Sequence, residues 1–279
     1  MRSIFYLIMK KHNKINTKIY WLDLIISGLL FKVSFATFFF TGNIFAFLLA
    51  SIFLYRIGAF THEIAHQRNS KTLKPFRIFW DYTVGFLTLQ PSIRFTKTHL
   101  IHHTTGIFAT KDDPQYPLVF SNKKLAFTIF VLLPWLLPIY NFIVCASNSI
   151  ENNRIERILY KNIKFSKDEY EEIHYHETLY FYGWVLLIIV LPSLIIPFYL
   201  VSVGAWFLSV LRIPLEHPLD EYKETSNYKD QELLSNTYYH PLYILIQPLA
   251  LRYHKAHHMY PKVPYHNLKQ LTKELDSFS

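Results

Sequence analysis

The sequence predicts an all-α, multi-pass integral membrane protein with about four transmembrane helices and a cytoplasmic, histidine-rich helical cap. Two observations predict this fold class: several apolar runs of membrane-spanning length, and three clusters of histidine beside those runs. Composition agrees, because 51% of the 279 residues are apolar, 18% are aromatic, only seven are glycine, and the mean hydropathy is positive. We expect a single domain over residues 1–279.

The first two apolar runs, residues 20–40 and 43–60, are separated only by Thr41 and Gly42. This pattern predicts a helical hairpin through the bilayer. Residues 1–19 are expected to form a cytoplasmic N-terminal tail. A polar segment rich in Lys and Arg follows the hairpin, and by the positive-inside rule it faces the cytoplasm. His12, in the tail, is expected to be solvated.

The later apolar runs have less obvious paths. Residues 82–90 are too short to span and are predicted to lie in the membrane interface. Residues 125–146 and 179–211 each contain two prolines near the middle. We favour a re-entrant 125–146 segment that dips in and returns, with 179–211 turning near its middle to cross twice. The alternative is a single crossing by each run.

The three histidine clusters have helical spacing. On a helix, positions i, i+3 and i+4 share one face, so each cluster directs two or three imidazoles at one point. Eight convergent imidazoles exceed what one four-coordinate zinc ion uses, whereas two redox-active first-row ions take four or five each. We interpret the site as dinuclear, with iron as the metal. The clustered residues are His62 and His66; His99, His102 and His103; and His254, His257 and His258.

Composition also limits the class of site. The single cysteine, Cys145, lies inside an apolar run and provides neither an internal disulfide nor a Cys-based metal site. The ligands must therefore be histidines, with or without carboxylates. Glu63, Asp112, Asp113 and Glu216 are candidates for orienting the imidazoles through their second nitrogens. The net charge of +9 is spread over the segments beside the apolar runs, so no nucleic-acid partner is expected.

These motifs resemble the membrane fatty acid desaturase family, which has three histidine boxes on the cytoplasmic side of a four-helix membrane domain. The first cluster follows the HxxxH form of that family, and the other two follow HxxHH. The resemblance extends to residues beside the boxes and to the additional ligand histidine after the last apolar run. These residues are Asp113-Pro114, Pro261, Val263-Pro264-Tyr265 and Glu216-His217.

The resemblance implies a non-haem site with two iron ions, which activates dioxygen to remove hydrogen from an unactivated C–H bond. Two such abstractions give a double bond in a long acyl chain of a lipid or thioester. An external electron donor is also implied, either a ferredoxin or a b-type cytochrome with its reductase. Some members use an Asn one helical turn before the additional histidine, where this chain has Ile213; we consider Asn236 and Asn267 as substitutes. The implied ligands are His62, His66, His99, His102, His103, His217, His254, His257 and His258.

Three alternatives remain open at this stage. A related diiron lipid, alkane or carotenoid hydroxylase or ketolase has nearly the same boxes, since the outcome depends on substrate placement finer than motif spacing. The stretch from His62 to His66 also satisfies HExxH, the zinc protease motif with Glu63 as general base, although this leaves the other two boxes unexplained. A histidine-rich metal transporter or sensor would carry its ligands inside the crossings rather than at their ends, so the location of the boxes here argues against this class.

Overall fold

The structure, a computed structural model, describes residues 11–110, 112–114, 123–151, 163, 165–217 and 228–277. These residues form helices and no strands, which confirms the all-α class. Residues 1–10 of the predicted N-terminal tail lie outside the described residues. The helices are α1 Thr17–Thr41, α2 Ile44–Gly58, α3 Phe60–His66, α4 Lys74–Trp80, α5 Ser92–His102, α6 Lys123–Glu151, α7 Lys167–Val190, α8 Pro192–Glu216, α9 Tyr228–Leu233, α10 His254–Met259 and α11 Tyr265–Asp276.

Four helical segments in the described residues are long and apolar enough to cross a membrane. Their outward faces carry large exposed apolar side chains: Val33 is 65% exposed and Phe40 is 81% exposed. Apolar surface of this extent is typical of contact with lipid. The four segments are Thr17–Thr41, Ile44–His66, Phe127–Ile150 and Pro192–Glu216.

The predicted hairpin forms between α1 and α2. Gly42 has a positive φ of 65°, and its N–H donates to the carbonyl of Phe38 at 2.8 Å, which ends α1. Asn43 then caps α2, because its side-chain oxygen accepts from the backbone N–H groups of Phe45 and Ala46. The second helix continues through α3, so the first histidine box lies on the last two turns of a candidate membrane span.

The prediction of a re-entrant 125–146 segment was wrong. Helix α6 is continuous from Lys123 to Glu151, with both Pro134 and Pro138 inside it, so the chain does not reverse direction within this segment. A proline removes one intrahelical hydrogen bond, but membrane helices tolerate this loss when neighbouring helices pack around the freed backbone groups. Helix α6 packs along α7 and α8 over much of its length.

The 179–211 run does turn near its middle, as predicted, although of this run only the part within Pro192–Glu216 belongs to a candidate membrane span in the described residues. Helix α7 ends at Val190, Leu191 leaves helical geometry with φ −131° and ψ 54°, and Pro192 begins α8. Proline suits the first position of a helix because its missing N–H has no intrahelical partner there.

Short helical turns, Asp81–Gly85 and Phe86–Thr88, extend α4 towards the box-two helix α5.

The first and last described helices are joined by buried polar contacts. The hydroxyl of Tyr20 in α1 and the backbone N–H of Tyr265 in α11 both donate to Glu63 Oε2, at 2.9 and 3.1 Å. The prediction that His12 is solvated was wrong, because its ring is 2% exposed and its Nε2 lies 2.7 Å from Glu274 Oε2. Helix α11 covers this part of the tail.

Candidate metal centre

All nine histidines singled out in the sequence converge, and they do so as two groups. Within each group, one nitrogen from every ring lies within 4.8 Å of the others. Every member is buried except His66, which is half-buried. The first histidine group is His62, His66, His99, His103 and His257, and the second histidine group is His102, His217, His254 and His258.

The HxxHH spacing divides each of the last two boxes between the groups. On α5, His99 and His103 are one turn apart and join the first group, while His102 projects to the second. On α10 the assignment is reversed. His254 and His258, one turn apart, join the second group, and His257 joins the first. Two short helices thus link the groups through neighbouring residues.

The ring nitrogens approach one another at distances typical of ligands around one ion. In the first group, Nε2 of His99 lies 2.8 Å from Nε2 of His66 and 3.2 Å from Nε2 of His103. In the second group, Nε2 of His254 lies 3.1 Å from Nε2 of both His217 and His258. An imidazole nitrogen lies about 2.0–2.1 Å from a bound zinc ion, so two ligands at a right angle are about 3 Å apart.

The nitrogens are also chemically suited to hold a cation. Within the described residues, neither nitrogen of His62 has a hydrogen-bond partner. Burial, followed by the charge of neighbouring imidazoles, lowers the pKa of His99, His103, His257 and His258 well below the usual range. These rings are therefore neutral and offer lone pairs, so the residues present fit a metal ion in each group.

Three ligands of the second group are oriented by acceptors on their outer nitrogens. Nδ1 of His102 donates to Asp113 Oδ2 at 2.8 Å, and Nδ1 of His217 donates to the carbonyl of Leu234 at 2.9 Å. Nδ1 of His258 lies 3.3 Å from Gln231 Oε1. Each contact places the proton on Nδ1 and leaves Nε2 with the lone pair that binds a metal, as outer partners of metal-bound imidazoles generally do.

The candidate carboxylates named from sequence have different surroundings. Asp113 contacts a box-two ring as described, whereas the side chain of Asp112 is exposed. Glu216 Oε1 lies 3.5 Å from His254 Nδ1 and 3.2 Å from Arg212 Nη1. Glu63 accepts from α1 and α11, and its other oxygen is 3.9 Å from His62 Nδ1.

Both residues considered as substitutes for the Asn that is absent at position 213 have their amide nitrogens engaged by backbone carbonyls. Asn236 Nδ2 donates to the carbonyl of Leu215, and Asn267 Nδ2 donates to that of His12. Sequence reasoning missed Gln231 and the Leu234 carbonyl, because no local pattern connects them with the boxes.

We expect Asp113→Asn to lower metal affinity about 10- to 100-fold, the usual effect of removing an outer partner of a metal ligand. The amide can still accept from the backbone N–H of Ala109, which now donates to Asp113 Oδ2 at 3.0 Å, so the fold should survive. Metal retained after graded chelation would measure the change. Asp112→Asn is the matched control, and equal metal retention in both variants would contradict the assigned role of Asp113.

A third cluster of metal-ligand types lies outside the histidine groups and is formed by Asp81, Glu172 and His176. Its carboxylates are already paired. Asp81 accepts from the backbone N–H and hydroxyl of Ser92, and Glu172 accepts from Arg68 and Arg77 at 2.6 and 2.8 Å. Two guanidinium groups beside Glu172 disfavour a cation there, so this cluster is interpreted as a structural link between α4 and α7.

An apolar cavity of about 290 Å³ reaches the first histidine group. Helices α2, α6, α7 and α8 form most of its wall, and His62 of the first histidine group also lines it. The lining includes aromatic side chains such as Trp184 and Phe198 and small residues such as Gly58 and Ser209. A mainly apolar pocket beside a few converging polar groups is the usual form of a ligand site.

The helical membrane fold, the two histidine groups and the cavity together define a membrane protein with a candidate metal centre beside a cavity for an apolar ligand. The model of the fatty acid desaturase family matches residues 11–279. This chain therefore belongs to the fatty acid desaturase family, whose members are lipid-modifying oxidoreductases. The expected family membership is confirmed.

Two relatives have reactions of different kinds in their names. The chain is 28% identical to a ceramide hydroxylase of Caulobacter vibrioides over 281 residues, which covers 91% of this chain and 79% of that protein. It is 27% identical to a fatty acid desaturase of Bacillus subtilis over 239 residues, covering 80% of this chain and 65% of that protein, just under two thirds. No solved structure matches the chain.

Proposed function

We propose that this protein is a membrane-bound diiron desaturase that introduces a double bond into a long acyl chain of a lipid or thioester. The observation that carries the proposal is the apolar cavity, whose wall includes His62 of the first histidine group. A hydrocarbon chain held in this cavity places one of its carbons beside the metal ligands. Burial of apolar surface supplies the binding energy, at roughly 25 cal/mol per Å².

The nine histidines support two iron ions, one in each group. Five rings converge in the first group and four in the second, more than one ion accommodates. Bound iron would supply the oxidising power, drawn from dioxygen, that removes hydrogen from an unactivated C–H bond. The chain's own residues supply nine imidazole ligands, hold the orientation of His102 through Asp113, and keep water from the acyl chain with apolar walls.

Desaturation and hydroxylation differ in the second event. Removal of hydrogen from two adjacent carbons gives a double bond, whereas transfer of one oxygen atom to the first carbon gives an alcohol. The match to a ceramide hydroxylase over 91% of this chain favours hydroxylation as the second candidate function. Both outcomes use the same cavity and histidines, and sub-ångström placement of the carbon decides between them.

We further propose a single domain over residues 1–279 with the histidine boxes on the cytoplasmic side. Support for this side comes from Lys and Arg in the polar segment that follows the first hairpin. Electrons then come from a separate cytoplasmic donor, a ferredoxin or a b-type cytochrome with its reductase. An iron centre with neutral ligands keeps a high positive charge, which favours the reduced state that such a donor provides.

Lipid analysis of a host without unsaturated lipids tests the reaction. Expression of the wild-type chain should produce acyl chains that lack two hydrogen atoms, and expression of His257→Ala should not. Acyl chains or ceramides that gain one oxygen atom would assign hydroxylation instead. An unchanged lipid profile, with iron-loaded protein and a ferredoxin or b-type cytochrome system supplied, would contradict both candidate functions.

Glu63→Gln separates the oxidoreductase from a zinc protease. Glu63 Oε2 already accepts from Tyr20 and from the backbone of Tyr265, so it is engaged in joining helices. A glutamine keeps one acceptor oxygen, and we expect lipid turnover to fall by no more than about 10- to 100-fold, so that measurable activity remains. A metalloprotease would lose its general base and nearly all activity. Metal-dependent peptide hydrolysis by the wild type, abolished in Glu63→Gln, would overturn the oxidoreductase assignment.

A further inference from the structure

Gly58 lies on the cavity wall one helical turn before His62, which also lines it. Positions i and i+4 share a helix face, so these two residues line the cavity side by side. A Cβ atom built at Gly58 meets no heavy atom within 4 Å. The missing side chain is therefore matched by open space beside the first histidine group.

Helix propensity offers no reason for glycine at this position. Gly58 is the last residue of α2, and the backbone continues through Ala59 into α3 with right-handed helical geometry, so no positive φ requires glycine. No neighbouring atom forbids a side chain either. Alanine favours a helix over glycine, so the glycine here weakens the helix that carries the first box.

The rest of the lining mixes small and bulky side chains. Helix α8, which packs on α2, contributes small side chains such as Ser209 and also the bulky Trp206. Trp80 lines the cavity too, and its indole N–H donates to the carbonyl of Ile57, the residue before Gly58, at 2.8 Å. Because a bulky ring lies this close to position 58, a side chain added there would take up space that the cavity now offers.

We propose that Gly58 is a specificity-determining residue, whose missing side chain gives the acyl chain room to lie beside His62 and sets which carbon faces the metal ligands. This inference rests on the proposed function. A side chain at position 58 displaces the chain along the cavity or excludes it. One extra methylene in an apolar pocket changes selectivity by roughly 10- to 200-fold, so the effect should be graded with size.

The test compares Gly58→Ala and Gly58→Leu with the matched controls Gly28→Ala and Gly28→Leu. Gly28 lies in the middle of α1, does not line the cavity, and also has nothing within 4 Å of a built Cβ. All four variants should insert and keep wild-type metal content. Gly58→Ala should shift the position or chain length of the lipid product, and Gly58→Leu should lower turnover at least about tenfold.

Binding is read separately from turnover by fluorescence. Trp80, Trp184 and Trp206 line the cavity, so a brominated stearic acid should quench the wild type in a saturable way that unlabelled stearic acid reverses. Gly58→Leu should lose the part of the quenching that unlabelled stearic acid reverses, and Gly28→Leu should keep it. Equal competed quenching in Gly58→Leu and the wild type overturns the inference, whether or not the wild type converts a lipid. Loss of lipid conversion in the wild type, with quenching intact, counts against the proposed function alone.

Discussion

Replacing one histidine in either group, His257→Ala or His102→Ala, should lower lipid turnover by at least about a thousandfold while membrane insertion is retained. The reason is that each ring belongs to a different group, and a centre of two ions needs both. A metal ion contributes several kcal/mol of stabilisation to such a reaction, and each 1.36 kcal/mol is a factor of ten in rate. Product formation in isolated membranes, with protein quantity matched, measures the loss.

His240→Ala is the control for this pair. His240 is exposed, and its Nδ1 accepts from the backbone N–H of Leu242 in the short helical turn Pro241–Leu245. We expect near wild-type turnover from it. Substantial product from His257→Ala or His102→Ala would show that one of the two groups is dispensable, and the two-ion account would be abandoned.

The second large effect concerns a buried ion pair that holds the box-two helix. Arg94 Nη1 lies 2.7 Å from Glu177 Oε1, and the two side chains are 3% and 0% exposed. Nη2 of Arg94 donates to the carbonyl of Leu89 and to Asn141 Oδ1, at 3.0 and 2.9 Å, and Asn148 Nδ2 donates to Glu177. Arg94 is on α5, five residues before His99, so this network joins the ligand helix to α6 and α7.

Arg94→Met should lower the free energy of unfolding by about 3–5 kcal/mol, because it leaves the Glu177 carboxylate buried without its partner. Metal affinity should fall as well, since α5 loses its attachment. Denaturation in detergent micelles, followed by helical circular dichroism, measures the stability. Adding Glu177→Gln removes the stranded charge and should recover much of the loss.

Lys97→Met is the matched control on the same helix. Lys97 Nζ lies 2.9 Å from Glu169 Oε1, and both side chains are partly exposed, at 30% and 21%. Exposed pairs of this kind contribute no more than about 1 kcal/mol. Equal destabilisation by Arg94→Met and Lys97→Met would contradict the structural importance assigned to the buried pair.

Local patterns predicted the elements that depend on neighbouring residues. The hairpin turn follows from Gly42, which has the positive φ that glycine favours. The shared face of the histidines within each box follows from spacing on a helix. These features are encoded within a few residues, so the sequence carries them directly. The meeting of the boxes in two groups depends on contacts between distant residues, and His217 was added only by resemblance to the family.

Features that depend on distant contacts were not predictable in the same way. Whether Pro134 and Pro138 break α6 depends on packing against α7 and α8, and the burial of His12 depends on a helix 262 residues away. Nothing local in the sequence connects Arg94 with Glu177, which lies 83 residues later. The cavity at Gly58 could not be foreseen, because its walls come from several helices that are far apart in the sequence.

Metal analysis of the purified wild-type protein, combined with Mössbauer spectroscopy of protein loaded with iron-57, tests the central claim most directly. Two histidine groups of neutral rings predict about two high-spin iron ions per chain, with the spectrum of a coupled pair after oxidation. A single zinc ion per chain, or one iron ion that no loading raises towards two, would contradict a diiron centre built from the nine histidines.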